Sequence, residues 1–192
     1  MFTGIIKTVA KVKKAEKQNG SLFFIIQKPQ GWKIKTGDSI ATDGACLTAI
    51  KVNQKNYTVE LMPETLHKTS FGKKIPTAVN LEPALKLKDK VDGHFVLGHV
   101  DAIGRIEKIT KQGLSLVYQI SFPKSFAKLA VDKGSIAVDG ISLTVVKVLK
   151  NSFTVALMAY TLNQTTLGRK KVNEPVNLEF DIIAKYLSRS KK

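Results

Sequence analysis

Short runs of β-branched and aromatic residues recur along the chain, separated by turn-forming residues. Such runs are typical of β-strands, and in the first half they occupy residues 22–27, 39–42, 46–52 and 57–61, each with a counterpart in the second half. Residues 79–82 and 176–179 both read Val-Asn-Leu-Glu, and this alternation predicts a half-buried strand. We also expect short helical connectors at 29–33 and 123–129.

The second half of the chain repeats the first. An offset of 96 positions aligns Asp43-Gly44 with Asp139-Gly140, and a similar offset at the front aligns Gly4 with Gly98. Because the matches are ordered and nearly gapless along almost the whole chain, they predict a duplicated domain. We expect one domain in residues 1–90, a second in residues 91–184, and a short C-terminal helix or tail in residues 181–192.

The repeated unit predicts a small closed barrel. Each Asp-Gly pair stands between two strand-like runs, where this dipeptide supplies the positive φ angles of a two-residue hairpin turn. About six short strands per half are too few for a large sandwich, whereas closure of a small barrel removes exposed strand edges. We therefore predict an all-β fold with two similar six-stranded Greek-key closed barrels.

The chain is strongly basic. Its 192 residues include 31 basic and 15 acidic side chains, a net charge of +16. Nucleic acid attracts such surfaces, but arginine, the preferred reader of guanine, occurs only at positions 105, 169 and 189, and the lysines are scattered. We interpret the charge as a solvated lysine-rich surface and expect no nucleic-acid partner.

The remaining composition favours a cytoplasmic protein. No apolar run approaches the roughly 20 residues of a membrane span, and the start lacks the features of a signal peptide. One cysteine cannot form an internal disulfide. We expect neither a membrane partner nor secretion.

Six strings in order carry a resemblance to a known family. Met-Phe-Thr-Gly-Ile-Ile begins the chain, Met-Pro-Glu-Thr-Leu follows at 62–66, and Gly-His-x-x-x-Gly-His-Val-Asp lies at 93–101. The repeated strings at 37–48 and 133–144, and Val-Asn-Leu-Glu-x-Asp at 176–181, complete the set. Together they resemble the riboflavin synthase family of the α-chain type, over the whole chain.

The resemblance implies a reaction between two like molecules. The family dismutates 6,7-dimethyl-8-ribityllumazine: one molecule gives a four-carbon unit to the other, yielding riboflavin and 5-amino-6-(D-ribitylamino)uracil, without a cofactor or metal. The resemblance also implies two barrels with a C-terminal helix, assembled as a homotrimer. The active site would then lie between the N-terminal barrel of one subunit and the C-terminal barrel of its neighbour.

Two residues are the main candidates for chemistry. A lone cysteine such as Cys46 is more often an inert core residue, but the family pattern implies that it acts as nucleophile or proton-transfer partner. Ser142 fills the matching position and is a weaker nucleophile. His99, opposite Ile5 in the repeat, is the natural proton-transfer group, although a histidine held by the backbone is the structural alternative. His94 is an odd number of residues away, which on a strand places it on the opposite face, so we assign it a structural role and expect no metal site.

The resemblance implies a larger set of site residues. Thr144 and Asp181 join Cys46, His99 and Ser142 as catalytic groups, and residues 60–65 and 158–163 match strands whose main chain contacts the ligand. The implied substrate-binding residues of the first half are Gly4, Ile5, Ile6, Ser39, Cys46, Leu47, Thr48, Glu60, Leu61, Met62, Pro63, Glu64 and Thr65. Those of the second half are Gly98, His99, Val100, Lys133, Ser142, Leu143, Thr144, Met158, Ala159, Tyr160, Thr161, Leu162 and Asn163.

Departures from the family pattern leave two points open. Ala159-Tyr160 replaces the usual proline and polar residue, which changes the contacts expected in the second pocket. Few residues follow Tyr186, which predicts a C-terminal helix shorter than the trimerising helix of the family and leaves the number of subunits open.

Two other functions are compatible with parts of the pattern. A relative that binds lumazine or flavin as a carrier or optical antenna would keep the barrels and lose the reactive residues, yet Cys46 and His99 are both present. A nucleic-acid-binding barrel would need aromatic stacking platforms, and aromatic residues make up only 7% of the chain.

Overall fold

The first half of the chain forms a closed barrel of six antiparallel strands. The computed structural model describes residues 1–190; residues 191 and 192, at the end of the predicted tail, lie outside the described residues. Around the barrel the strands follow the Greek-key order β1-β2-β5-β4-β3-β6, and β6 pairs back to β1. Their bounds are β1 (Thr8–Gln18), β2 (Ser21–Gln27), β3 (Ser39–Thr42), β4 (Ala45–Val52), β5 (Asn56–Leu61) and β6 (Ala78–Pro83).

The second half forms a barrel of the same topology. Its strands neighbour one another in the equivalent order β7-β8-β11-β10-β9-β12. Bulges interrupt β1 and β7, and again β4 and β10, at positions that correspond in the repeat. The predicted pair of six-stranded barrels is confirmed. The strand bounds are β7 (Ala102–Gln112), β8 (Ser115–Ser121), β9 (Ser135–Val138), β10 (Ile141–Val148), β11 (Ser152–Leu157) and β12 (Pro175–Phe180).

The Asp-Gly pairs form the predicted hairpin turns. Asp43 and Gly44, between β3 and β4, have φ angles of 39° and 83°. Asp139 and Gly140, between β9 and β10, have φ angles of 47° and 78°. Positive φ at both central residues is the requirement of a type I′ turn, which matches the twist of the flanking strands.

Short helices follow the fifth strand of each barrel. Residues 60–65 and 158–163 were expected to be strands, but helices α1 (Pro63–Lys68) and α2 (Ala159–Gln164) occupy most of them. Pro63 favours this outcome because its fixed φ suits the first helical position. The connector at 123–129 is confirmed as a 3₁₀ helix over Lys124–Leu129. The predicted helix at 29–33 is wrong, since that segment forms a turn around Gly31 with φ of 78°.

Strands β6 and β12 are buried on both faces, so the prediction of a half-buried strand is wrong. Val79 and Leu81 fill the core of the first barrel, while Asn80 and Glu82, on the opposite face of β6, are buried as well. The equivalent residues of β12 are also buried. The barrels pack against each other on this side, and the side chains of Asn80, Glu82, Asn177 and Glu179 all have hydrogen-bond partners, as buried polar groups require.

The barrel interface has an approximate twofold symmetry. The Asn80 amide donates to the Asp139 carbonyl oxygen at 3.0 Å, and the Asn177 amide donates to the Asp43 carbonyl oxygen at 2.8 Å. The two hairpin turns touch there, and a Cβ added to Gly44 would lie 2.7 Å from the Gly140 nitrogen. Repeated residues therefore contact each other across the interface.

A third helix ends the described chain. Helix α3 (Ile182–Arg189) begins at Asp181, whose carboxylate accepts a hydrogen bond from the Ile183 N–H at 2.9 Å. This confirms the predicted short C-terminal helix. Between residues 1 and 190, no helix has the length and apolar character needed to cross a membrane.

Candidate functional site

Two extended segments cross between the barrels. Segment 3–6 precedes β1, yet the Ser142 N–H of β10 donates to its Gly4 carbonyl oxygen at 2.8 Å. Segment 97–100 precedes β7, yet the Cys46 N–H of β4 donates to its Gly98 carbonyl oxygen at 2.8 Å. Each segment therefore lies on the barrel formed by the other half of the chain.

Glycine is required where each segment meets its strand. Gly98 has a φ of 80°, and an added Cβ would lie 2.5 Å from the Cys46 Cβ. Gly4 has a φ of 76°, and an added Cβ would lie 2.6 Å from the Ser142 Cβ. Both the left-handed backbone and the close approach exclude larger residues. The backbone at both positions therefore lies directly against the residue that differs between the halves.

The side chains around Cys46 form the first pocket, an open cavity of about 330 Å³. This volume falls in the usual range for small-molecule sites. Strand β4, helix α1 and segment 97–100 all contribute to the pocket. Its predicted members are Cys46, Glu64, Thr65, Gly98, His99 and Val100, and three further members are Ala45, Lys68 and Thr69.

Helix geometry accounts for two of the three pocket residues that the sequence does not predict. Lys68 and Thr69 follow Glu64 and Thr65 by four positions, and residues four apart share one face of a helix. Recognition of α1 as a helix would therefore have identified both. Ala45 is the residue before Cys46 and has no chemical signal of its own. Lys68 adds a cation to the pocket, whereas Gln164 occupies the equivalent position of the second half.

The other predicted residues of the first half lie around this pocket or within the barrel. Ser39 of β3 pairs with Thr48 of β4, in the same hairpin that carries Cys46. The side chains of Leu47 and Leu61 belong to the barrel core, so only their backbone is available to a ligand. Met62 is exposed and Glu60 is half-buried on β5. Ile5 and Ile6 lie beside the second barrel together with Gly4.

The residues around Ser142, at the position of the repeat that corresponds to Cys46, are called the second pocket here, and they include His94, to which the sequence assigns a structural role. The His94 Nδ1 lies 2.7 Å from the Ser142 Oγ, and the backbone N–H of His94 donates to the Thr3 carbonyl oxygen. Its Nε2 is buried and has no hydrogen-bond partner among residues 1–190. Burial lowers the pKa of His94, and the nearby Asp181 opposes this effect. His94 therefore belongs to the same cluster as Ser142.

The two histidines serve different barrels. His94 contacts Ser142 of the second barrel, whereas His99 lines the cavity beside Cys46 of the first. Within residues 1–190, no group of three or more His, Cys, Asp and Glu side chains is arranged to hold a metal ion.

The remaining predicted residues of the second half lie on several elements of the second barrel. Thr144 is exposed and pairs with Ser135, and Leu143 packs on the barrel core. Lys133 has a φ of 63° in the turn before β9. Asp181 caps α3. On α2 and the residue before it, Met158, Ala159, Tyr160 and Asn163 are exposed, while Thr161 and Leu162 are half-buried.

Two buried glutamates hold the crossing segments. Glu82 of β6 accepts from the N–H and hydroxyl of Thr3, both at 2.7 Å, and from the Gly4 N–H at 2.9 Å. Glu179 of β12 accepts from the N–H groups of Leu97, Gly98 and His99 at 2.6, 2.9 and 3.0 Å. Burial raises the pKa of Glu179 to about 7, although the hydrogen bonds from Leu97 and Gly98 act in the opposite direction.

A separate cavity of about 220 Å³ lies between the barrels, away from Cys46 and Ser142. At its edge the Lys170 ammonium lies 2.9 Å from the buried Asp139 carboxylate. Burial raises the pKa of Asp43, and the charge of Asp139 adds to this increase. This charge cluster belongs to the barrel interface, and Asp43 and Asp139 are both residues of the hairpin turns.

Comparison with known proteins identifies the repeat. The lumazine binding domain family matches residues 3–84 and again residues 97–181. A riboflavin synthase of Actinobacillus pleuropneumoniae is 40% identical over 97% of this chain and 88% of its own. A riboflavin synthase of Mycobacterium bovis is 40% identical over 98% of this chain and 97% of its own, and that of Chlamydia pneumoniae is 39% identical over 96% and 92%.

Solved structures share the double-barrel fold. LumP complexed with riboflavin superposes with a TM-score of 0.87 at 19% identity, covering 94% of this chain and 99% of LumP. LumP complexed with 6,7-dimethyl-8-(1'-D-ribityl) lumazine gives a TM-score of 0.84 at 19% identity, over 93% and 98% of the two chains. The two domain matches and the identity with the curated relatives along nearly the whole chain lead to one conclusion: the chain belongs to the riboflavin synthase family of lumazine-binding proteins.

Proposed function

We propose that the protein catalyses the dismutation of two 6,7-dimethyl-8-ribityllumazine molecules into riboflavin and 5-amino-6-(D-ribitylamino)uracil, the last step of riboflavin biosynthesis. A four-carbon unit passes from one lumazine to the other, which makes the enzyme a transferase. The observation that carries the proposal is a pair of equivalent backbone contacts, Gly98 on Cys46 and Gly4 on Ser142, with different reactive side chains at the two positions. Relatives named riboflavin synthase match nearly the whole chain, which supports the proposal.

The reaction places two demands on the protein. A methyl proton must leave one lumazine so that an anion delocalised over its ring is formed. The second lumazine must accept a nucleophile, and both rings must be held in register while the four-carbon unit moves. Fixing two reactants in this way can supply roughly 7–11 kcal/mol of the barrier. We therefore assign much of the rate enhancement to positioning by the two pockets.

The first pocket has the groups for attack and proton transfer. Cys46 is half-buried at the wall of the cavity, and His99 lines the same cavity. A thiol is intrinsically more nucleophilic than a hydroxyl, so Cys46 is the residue we assign to the attack on the ring or to the proton transfer that accompanies it. The His99 imidazole, which can donate or accept a proton, is assigned to the same steps.

The second pocket has the groups for proton removal. Because burial lowers the pKa of His94, its imidazole is neutral near pH 7 and has a free electron pair. The 2.7 Å contact with Ser142 connects that imidazole to a hydroxyl at the wall of the pocket. We assign the pair to the acceptance of the methyl proton. Asp181 lies near His94, and we assign Asp181, Thr144 and Lys133 to binding or proton transfer.

The family also supplies a proposal for the assembly. We propose a homotrimer in which the first pocket of one subunit faces the second pocket of its neighbour, without any cofactor or metal. Exposed apolar side chains near the second pocket and on α3 favour association; they are Met158, Tyr160, Ile183, Tyr186 and Leu187. Sedimentation with and without ligand tests the subunit number. A monomer in both states would contradict the shared site.

The cytoplasm is the location we propose. The unpaired Cys46 agrees with a reducing compartment. Fractionation of cells that contain the natural protein tests this location, and its recovery from secreted material would contradict it.

Incubation of the purified protein with the lumazine tests the function. We expect riboflavin fluorescence to appear and two lumazines to be consumed for each riboflavin formed, with the pyrimidine as second product. The carrier alternative predicts a different outcome, in which the lumazine binds and no riboflavin appears. Equilibrium binding measured on the same sample distinguishes a carrier from an inactive preparation.

A further inference from the structure

The glutamates at the ends of the Val-Asn-Leu-Glu strings are buried yet reach across the molecule. Glu179 is only 3% exposed, and its two carboxylate oxygens accept three consecutive backbone N–H groups of segment 97–100. Glu82 is equally buried and holds segment 3–6 in the same way. A carboxylate that accepts several N–H groups binds a segment more tightly than neutral acceptors do.

Each glutamate belongs to one barrel and holds a segment that lies on the other barrel, so the two contacts are crossed. Glu179 is part of the second barrel, but the segment it holds lies on Cys46 of the first barrel. Glu82 is part of the first barrel, but the segment it holds lies on Ser142 of the second. Each glutamate is therefore connected to the pocket of the opposite barrel through a short stretch of backbone.

We propose that Glu179 is a positioning residue for the Cys46 and His99 pocket, and that Glu82 is a positioning residue for the Ser142 pocket. The proposal rests on the proposed function of these pockets. Neither glutamate contacts the reacting groups directly. Each sets the place of a peptide whose carbonyl binds the reactive strand, and the residue that follows Gly98 is His99, which lines the Cys46 pocket.

The geometry explains how one carboxylate fixes a side chain in a distant pocket. Glu179 holds the Gly98 N–H, and the Cys46 N–H holds the Gly98 carbonyl, which shares one planar peptide unit with the His99 N–H, so little freedom is left at residue 99. The His99 N–H is held as well, which fixes the starting point of its side chain. The charged groups that act on Glu179 are Lys185 and Asp101, which pair with each other at 2.6 Å, and His99 lies on the held segment.

The repeat supplies a matched pair of test variants, Glu179→Gln and Glu82→Gln. Each keeps the side-chain length but replaces one acceptor oxygen by a donor that opposes a backbone N–H. Hydrogen bonds to charged groups contribute about 1.5–3 kcal/mol. At about pH 8, above the pKa of about 7 of Glu179, amide exchange should therefore accelerate at least about tenfold in the released segment. We expect acceleration at residues 97–99 in E179Q and at residues 3–4 in E82Q, and not the reverse.

The rate of Cys46 alkylation measures the effect of each variant on the pocket of the first barrel. Cys46 is the only thiol of the chain, so the mass shift with iodoacetamide reports on one pocket. We expect E179Q to accelerate alkylation by about threefold or more because the covering segment loosens, whereas E82Q leaves the rate at that of the unmodified protein. In turnover assays E179Q should lower kcat more than it raises KM, because His99 is misplaced while most ligand contacts remain.

Two outcomes would overturn the inference. One is acceleration of exchange in both segments by both variants, which indicates general loosening of the fold. The other is unchanged Cys46 alkylation in E179Q.

If a glutamine variant does not fold, Glu179→Asp and Glu82→Asp retain the charge with a shorter reach and should give a smaller effect with the same crossed pattern. Exchange and alkylation need no turnover, so failure of the proposed reaction leaves them informative, and loss of the crossed pattern in an active enzyme removes this inference alone.

Discussion

The two pockets have the same backbone and different chemistry. In both, a left-handed glycine lies against the strand after an Asp-Gly turn, and a buried glutamate holds the glycine segment. The first pocket combines Cys46 with His99, whereas the second combines Ser142 with His94. The residues shared by the halves are those the fold requires, whereas Cys46 and Ser142, which differ, are only half-buried.

The difference shows which positions were free to change after duplication. A side chain at Gly4 or Gly98 collides with the opposite strand, so neither half tolerates one. Cys46 and Ser142 have similar volumes and are both half-buried, so exchange of sulfur for oxygen disturbs little packing. Chemical roles diverged where the cost to stability was small.

The largest expected effect comes from making the pockets alike. Cys46→Ser removes the thiol and should lower kcat by about 10²-fold or more, with much smaller change in lumazine affinity. Steady-state assays together with equilibrium binding measure the two effects. In the double variant Cys46→Ser with Ser142→Cys, activity should stay low because His99 remains beside position 46. Restored turnover would show that the pockets are interchangeable.

The next effect concerns the glycine contacts. Gly98→Ala should reduce the free energy of unfolding by about 3 kcal/mol, through an unfavourable φ and a collision with Cys46. Gly4→Ala should have a similar cost at the second barrel. Gly31→Ala is the control, since Gly31 has a φ of 78° but no neighbour within 4 Å, and should cost roughly 1 kcal/mol. Denaturant unfolding measures all three, and equal costs for Gly31 and Gly98 would contradict the close contact.

The interface asparagines should behave as equivalents. Asn80→Ala and Asn177→Ala each remove two side-chain hydrogen bonds that join the barrels, so each should cost about 2 kcal/mol. The exposed Asn151→Ala is the control and should change stability by less than about 0.5 kcal/mol. Thermal or denaturant unfolding makes the comparison. A cost confined to one asparagine would break the symmetry of the interface.

The smallest effect is a pH dependence tied to Glu179. Its pKa rises from 4.5 to about 7 on burial, so the folded protein binds more protons than the unfolded chain between these values. The stabilising contribution is complete below pH 4.5 and is lost as the pH rises through 7, at up to about 1.4 kcal/mol for each pH unit between these values. Unfolding between pH 5 and 8 should show this loss in the unmodified protein and in E82Q, but not in E179Q. An unchanged slope in E179Q would assign the dependence to another group.

Local patterns predicted most of the architecture. The strands, the type I′ turns and the duplication follow from residue types and spacings that act over a few positions, and the structure confirms them. The helices after β5 and β11 were missed because two family strings were interpreted as continuous strands. The helix predicted at 29–33 was wrong because Gly31 requires a left-handed turn in its place.

Only some of the residues in the two pockets could be predicted from the sequence. Cys46, Glu64, His99 and their neighbours were predicted, and the structure brings them together. His94 was assigned a structural role because odd spacing on a strand separates it from His99, but segment 93–100 is not a regular strand. The contact between His94 and Ser142 joins residues 48 positions apart, which no local period can reveal.

The amino-acid sequence by itself determined two barrels, their turns and the residues that distinguish the halves, because strand periodicity, turn chemistry and repetition are local properties of a chain. Only the tertiary structure decided that each glycine segment lies on the opposite barrel and that Glu82 and Glu179 are buried. The physical reason is that packing of the two barrels removes water from one face of β6 and β12. The polar residues of that face then need new partners, and the crossing segments supply the N–H groups.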